Sequence, residues 1–140
     1  MLRFHLPEQK KLVYEMPISV RWRDMDSMGH VNNAVYFRYF ETVRIDWMRS
    51  IGALPGPDGI GPVIVNAFCS FIRQLEYPGE VLAKHYVANP GRTSFDTYLS
   101  LLSAAGPGEI YTEGGAKTVW VDFPKQKSVP LPDWVRKIVE

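Results

Sequence analysis

Six residues in a stretch of ten could do chemistry together: Asp24, Asp26, Gly29, His30, Asn32 and Asn33. They lie between an alternating, strand-like run and the longest helical pattern of the chain. A helix N-terminus carries unpaired N–H groups and about half a unit of positive charge. Beside a carboxylate, such an end suits a reaction in which an acyl oxygen becomes negative. The N–H groups stabilise the oxyanion, and the carboxylate attacks or activates water. Asp26 lies seven residues before Asn33, and Gly29 between them permits a tight reversal that returns the carboxylate to the helix mouth. A plainer reading stands beside this one, because Asp and Asn before a helix are also ordinary turn formers and caps. Asp24 has the stronger structural reading, forming a turn or pairing with Arg21 or Arg23. The His30 imidazole can position the loop by hydrogen bonding as readily as it can move protons. Glu41 is a minor candidate some 12 Å further along the helix, with Arg38 and Arg44 spaced for ion pairing.

The elements that must position these groups follow from periodicity. Residues 12–23 alternate, with Ile18, Val20 and Trp22 on one face and Ser19, Arg21 and Arg23 on the other. Pro17 is tolerated at a strand start or edge. From Asn33 the period changes to that of a helix. Tyr36, Phe40, Val43 and Trp47 form one stripe, widened by Phe37, Met48 and Ile51, with Arg38, Glu41, Arg44, Asp46 and Arg49 on the polar face. Asn32 or Asn33 caps the start and Gly52 ends the pattern. Residues 53–62, rich in Pro and Gly, read as a loop. Four further strands follow, at 63–71, 81–88, 93–103 and 110–122, separated by Pro78-Gly79, Asn89-Pro90-Gly91 and Gly106-Pro107-Gly108. Asp133 caps a short terminal helix over 134–139.

The expected architecture is α+β: a long central helix wrapped by a five-stranded antiparallel sheet, with a short C-terminal helix, as one domain over residues 1–140. The sheet face away from the helix also carries apolar residues, with Phe68, Leu102 and Trp120 assigned to it. That face needs cover, so a homo-oligomer is expected. A net charge of +1, with the short run Lys125-Gln126-Lys127 the nearest thing to a basic patch, argues against a nucleic-acid partner. No run reaches the roughly 18 apolar residues of a membrane helix, and the first eleven residues lack an apolar signal core. The cytoplasm is the expected compartment. The lone cysteine, Cys69, falls on an apolar strand face and reads as an inert packed residue. Cys/His metal spacing is absent from the sequence.

The run Arg23-Asp24-Met25-Asp26-Ser27-Met28-Gly29-His30-Val31-Asn32-Asn33, with Tyr36 and Glu41 following, resembles the opening motif of the hotdog-fold acyl-CoA thioesterases of the 4-hydroxybenzoyl-CoA thioesterase family. The Tyr77-Pro78-Gly79-Glu80 turn and the Gly91-Arg92-Thr93-Ser94-Phe95 stretch extend the resemblance over nearly the whole chain. It implies a hotdog fold, a homodimer or dimer-of-dimers tetramer, and hydrolysis of an acyl-CoA to a carboxylic acid and free CoA without a metal or redox cofactor. It also implies that Asp26 is the catalytic carboxylate, as nucleophile or general base, and that the backbone N–H at Asn33 is the oxyanion donor. His30 matches the motif histidine. Some relatives carry a histidine where this chain has Asn33. Gly29, Arg92, Lys125 and Lys127 are the substrate-binding candidates, the three basic residues as partners for CoA phosphates. Phe68, Tyr98 and Trp47 are large apolar candidates for the acyl pocket.

Two other functions fit the same residues. A hotdog hydratase or dehydratase would use an Asp/His pair to move water across a double bond and leave the thioester intact. A non-catalytic module would bind acyl-CoA without turning it over.

Overall fold

A computed structural model of the chain describes residues 4–54, 59–104 and 108–140. Residues 55–58 of the expected loop and residues 105–107 of the last turn lie outside the described residues. The chain order is β1 (Lys11–Ser19), a single 3-10 turn (Trp22–Asp24), α1 (Asn33–Ser50), β2 (Ile60–Phe71), β3 (Glu80–Ala88), β4 (Ser94–Ser103), β5 (Ile110–Asp122), β6 (Lys127–Ser128) and α2 (Asp133–Val139). The strands form one antiparallel sheet in the order β1-β3-β4-β5-β2, with β6 paired to the end of β5. β1 and β2, consecutive in sequence, are thus the two edges of the sheet. The helix that joins them must cross the sheet face, and the sheet curls around it.

The helical stripe read from the sequence is the core. Tyr36, Phe40, Val43 and Trp47 are all buried against the inner sheet face. Around the first half of α1 they meet Ile18, Val81, Leu99 and Leu101; around the second half, Val87, Phe95, Trp120 and Val135 of α2. Each such side chain contributes about 1.5–3 kcal/mol by leaving water. Gly114 of β5 faces the helix closely: a Cβ there would stand 2.5 Å from Phe40 Cε2 and nearer still to the Phe68 carbonyl oxygen of β2.

Five details differ from the sequence reading. β1 ends at Ser19 rather than Arg23, because the chain leaves the sheet for the 3-10 turn. Trp22, assigned to an inward face, is exposed and packs edge-on against Tyr77, with ring centroids 5.6 Å apart. β2 starts at Ile60, inside the expected loop, since Ile60, Gly61 and Pro62 already pair with β5. Trp120 does not face outward: it shares the inner face with Thr118 and Ala116 and is covered by α2. On α1, Arg44 is buried and Phe37 is 39% exposed, the reverse of their assigned faces. Burial pulls the Arg44 guanidinium below its usual range, and the nearby Glu41 charge opposes this. No helix among the described residues is long and apolar enough to cross a membrane.

Candidate active site

The loop between the 3-10 turn and α1 is closed by its own backbone. The Asp26 N–H donates to the His30 carbonyl at 2.9 Å, and the Gly29 N–H donates to the Asp26 carbonyl at 3.2 Å. Gly29 sits at φ +85°, a left-handed conformation costly for any residue with a Cβ. The glycine therefore makes a tight turn of the kind the sequence allowed. Asp26 Oδ1 accepts from the Met28 N–H at 2.8 Å, an Asx turn that fixes the carboxylate. Its other oxygen lies 4.0 Å from His30 Nδ1, and both side chains remain about a quarter exposed.

Asp24 holds the loop from outside. Its Oδ2 accepts the Arg21 N–H at 2.8 Å and the Tyr39 hydroxyl at 2.5 Å, and its carbonyl accepts the Asn32 N–H at 3.0 Å. The structural role read for Asp24 is present, but its partners are a backbone amide and a tyrosine, not a guanidinium. The stretch between β2 and β3 supplies a second wall. Leu75 accepts the Val31 N–H at 2.7 Å, Gly79 accepts the Val20 N–H at 2.8 Å, and the Tyr77 N–H lies 3.3 Å from Met25 Sδ.

The mouth of α1 opens between these walls. Asn32 is the N-cap: its side-chain oxygen accepts the Ala34 N–H at 2.9 Å, and its carbonyl accepts the Val35 N–H at 2.9 Å. The N–H of Asn33 has no intrachain acceptor among the described residues. Asn33 lines a cavity of ≈ 380 Å³ together with His30, Val31, Tyr36, Phe71, Ile72, Arg73 and Gln74. A free amide at a helix N-terminus, carboxylate-bearing loop beside it, is suited to stabilise a developing oxyanion. Tyr36 is raised above its ordinary range, first by burial and further by the Asp26 charge, so it stays a protonated phenol. Burial also pushes the Cys69 thiol up to about 12, partly offset by Arg44, and leaves it unreactive.

The other sequence candidates lie elsewhere. Trp47 is packed in the core against His85 and Phe95. Phe68 and Tyr98 line a shallow depression of ≈ 470 Å³ with Phe4 on the outer sheet face. Glu41 is exposed along α1. Arg92, Lys125 and Lys127 gather at the far end of the sheet: the Arg92 carbonyl accepts the Leu131 N–H, Lys125 lies in the β5–β6 turn, and Lys127 is in β6. That end is next to Ile60, whereas the cavity is next to Phe71, and β2 spans up to about 36 Å between them. Within one protomer the three basic residues do not meet the cavity. Sequence reasoning missed the wall at residues 72–75, which carries no periodic pattern, and gave Tyr36 no part in the site beyond its places in the helical stripe and the motif.

The thioesterase-like superfamily model matches residues 20–139. The PA2801 protein of Pseudomonas aeruginosa, a candidate thioesterase, shares 34% identity at a TM-score of 0.86, over 93% of this chain and 100% of that one. A candidate acyl-CoA thioesterase from Xanthomonas campestris shares 38% identity at a TM-score of 0.73, over 80% and 95% of the two chains. A 4-hydroxybenzoyl CoA thioesterase mutant complexed with 4-hydroxybenzoyl CoA has the same fold, with a TM-score of 0.78 at 17% identity over 91% and 98% of the chains. The helix-in-sheet arrangement is the hotdog fold expected from the motif.

Proposed function

The chain belongs to the thioesterase-like superfamily, and on that premise we propose that this thioester hydrolase cleaves an acyl-CoA to a carboxylic acid and free CoA. Asp26 is the catalytic carboxylate, either attacking the acyl carbon or activating the water that does. The Asn33 N–H receives the negative charge that collects on the acyl oxygen. His30, 4.0 Å from Asp26, steadies the loop and the carboxylate, and Gly29 sets the reversal between them. The observation that carries this reading is the Asn33 amide: unpaired, at the helix mouth, on the same cavity as His30.

The working unit in this reading is a homodimer. β2 is twelve residues long, and among the described residues its one strand neighbour is β5, leaving its other edge free. It exposes Ile60, Ile64, Val65 and Phe71. A long apolar free edge is a template for pairing with a second chain. Antiparallel pairing of two β2 strands sets the Ile60 end of one against the Phe71 end of the other. That brings Arg92, Lys125 and Lys127 of each protomer toward the other's cavity, where they would meet CoA phosphates. One cysteine in 140 residues is in keeping with the reducing cytoplasm.

The test is free-thiol release from a panel of acyl-CoAs by wild type and Asp26→Asn. A loss of about 10²–10⁴-fold in the variant is expected for removal of a catalytic acid–base group. Equal rates on the best substrate would remove Asp26 from the mechanism, and release of hydrated thioester from an enoyl-CoA would replace hydrolysis with hydratase chemistry.

A further inference from the structure

Tyr36 stands one helical turn beyond Asn33 on α1 and lines the same cavity. Helical side chains lean back over the turn N-terminal to their own Cα. The Tyr36 ring therefore reaches toward the helix mouth, and packing holds it there: Phe71 at 5.1 Å and Tyr39 at 6.1 Å between centroids, with the residue 2% exposed. The phenol oxygen is faced by the Leu75 backbone and the Thr112 hydroxyl, although Thr112 Oγ1 makes no hydrogen bond of standard geometry. Both neighbours can act as donors to it. No protein acceptor takes the phenol's own proton among the described residues. A buried tyrosine hydroxyl ordinarily finds a partner. Here the one direction left for its proton is the cavity.

We infer that the Tyr36 hydroxyl is a second donor to the acyl oxygen, acting with the Asn33 amide on the tetrahedral intermediate. The inference rests on the acyl-CoA thioesterase reading above. In the step, either Asp26 takes a proton from a water whose oxygen bonds to the acyl carbon, or an Asp26 oxygen forms that bond itself and water later hydrolyses the resulting anhydride, releasing the acid and restoring the carboxylate. The π pair of the C=O moves to its oxygen, where the Asn33 N–H and Tyr36 O–H hold it. The pair then returns, the C–S bond breaks, and CoA leaves as the thiolate, which takes a proton from solvent. Tyr36 donates a hydrogen bond throughout and is never itself deprotonated. One backbone amide alone would leave the oxyanion with half the usual pair of donors, and the phenol supplies the other.

The experiment compares wild type, Tyr36→Phe, Thr112→Val and Asp26→Asn by free-thiol release, with folding followed by circular dichroism. Tyr36→Phe removes only the hydroxyl. Its kcat is expected to fall roughly 10²-fold, the scale of one oxyanion donor. KM should change less than about threefold, since the lost contact is made in the transition state. A kcat within twofold of wild type, or a raised KM at unchanged kcat, would overturn the inference by assigning the phenol to packing or to ground-state binding. Should Tyr36→Phe not fold, Thr112→Val decides: a several-fold fall in kcat supports the phenol's role and an unchanged kcat overturns it. Loss of activity in Asp26→Asn with full activity in Tyr36→Phe sinks this inference alone. A wild type that turns over no acyl-CoA in the panel sinks the functional reading with it.

Discussion

The Tyr39 hydroxyl donates to Asp24 Oδ2 at 2.5 Å, joining the second turn of α1 to the turn that precedes the loop carrying Asp26 and His30. The same carboxylate accepts the Arg21 amide, and the Asp24 carbonyl accepts the Asn32 amide. One residue thus ties the exit of β1, the start of α1 and the helix body. Burial, reinforced by the Asp24 charge, raises Tyr39 far above its ordinary range, so it remains a donor at every working pH. Tyr39→Phe removes one bond to a charged acceptor and should cost about 1.5–3 kcal/mol. Urea denaturation checks this; a midpoint equal to wild type would mean the tie bears no stability.

Asn33 offers a test that separates amide from side chain. It is the first residue of α1, where proline is well tolerated because the missing N–H has no helical partner. Asn32 already has φ −63° and ψ 137°, the extended geometry required before a proline. Asn33→Pro should therefore keep the fold while deleting the oxyanion donor, with kcat down about 10²–10³-fold. Asn33→Ala keeps the amide and should lose far less. Equal losses in the two variants, with unchanged thermal midpoints, would assign the role to the side chain.

His85 sets a pH dependence of stability. Burial pushes its imidazole down to about 3, with the Arg44 charge adding to the effect. The unfolded chain, with an ordinary histidine near 6.5, binds a proton that the folded chain refuses. Stability is then full above pH 6.5 and falls as pH drops toward 3. Between pH 7.5 and 5.5 the loss from this group is about 1.4 kcal/mol. Urea midpoints at the two pH values measure it, and His85→Leu should flatten the difference. A wild-type midpoint unchanged over that range would show that the histidine does charge in the fold.

Val65, 54% exposed in the middle of β2, tests the dimer. Val65→Lys places a charge on the free edge, a device that blocks edge-to-edge pairing. Light scattering should report the mass of one chain, and turnover should fall because the basic residues no longer reach the cavity. A wild type that already scatters as a monomer would refute the pairing.

Helix α1 was legible because its apolar residues repeat at 3.6 and are large, and packing then agreed with pattern at Tyr36, Phe40, Val43 and Trp47. The reversal at Gly29 and the Asn32 cap were legible because turn and cap chemistry are local. What failed was long-range. Alternation continued through Trp22, but the chain had left the sheet, and nothing local marks that exit. The Asp24–Tyr39 bond spans fifteen residues and exists only once helix and loop are docked. The burial of Arg44 depends on how deeply the helix sits in the sheet, which no periodicity encodes. The wall at residues 72–75 has no repeating pattern and was visible only as a connection.

That depth has a mechanical consequence. The helix is seated where Gly114 leaves room for Phe40, and Phe40 lies about 10 Å along the axis from Asn33. A methyl group added at Gly114 would press on the Phe68 carbonyl of β2 as well as on Phe40, and through Phe40 on the helix as on a lever with its tip at the mouth. The resulting tilt would be largest at Asn33, on the cavity at the helix mouth. A packing change at Gly114 would thus be felt at the helix mouth as well as in the pairing of β5 with β2.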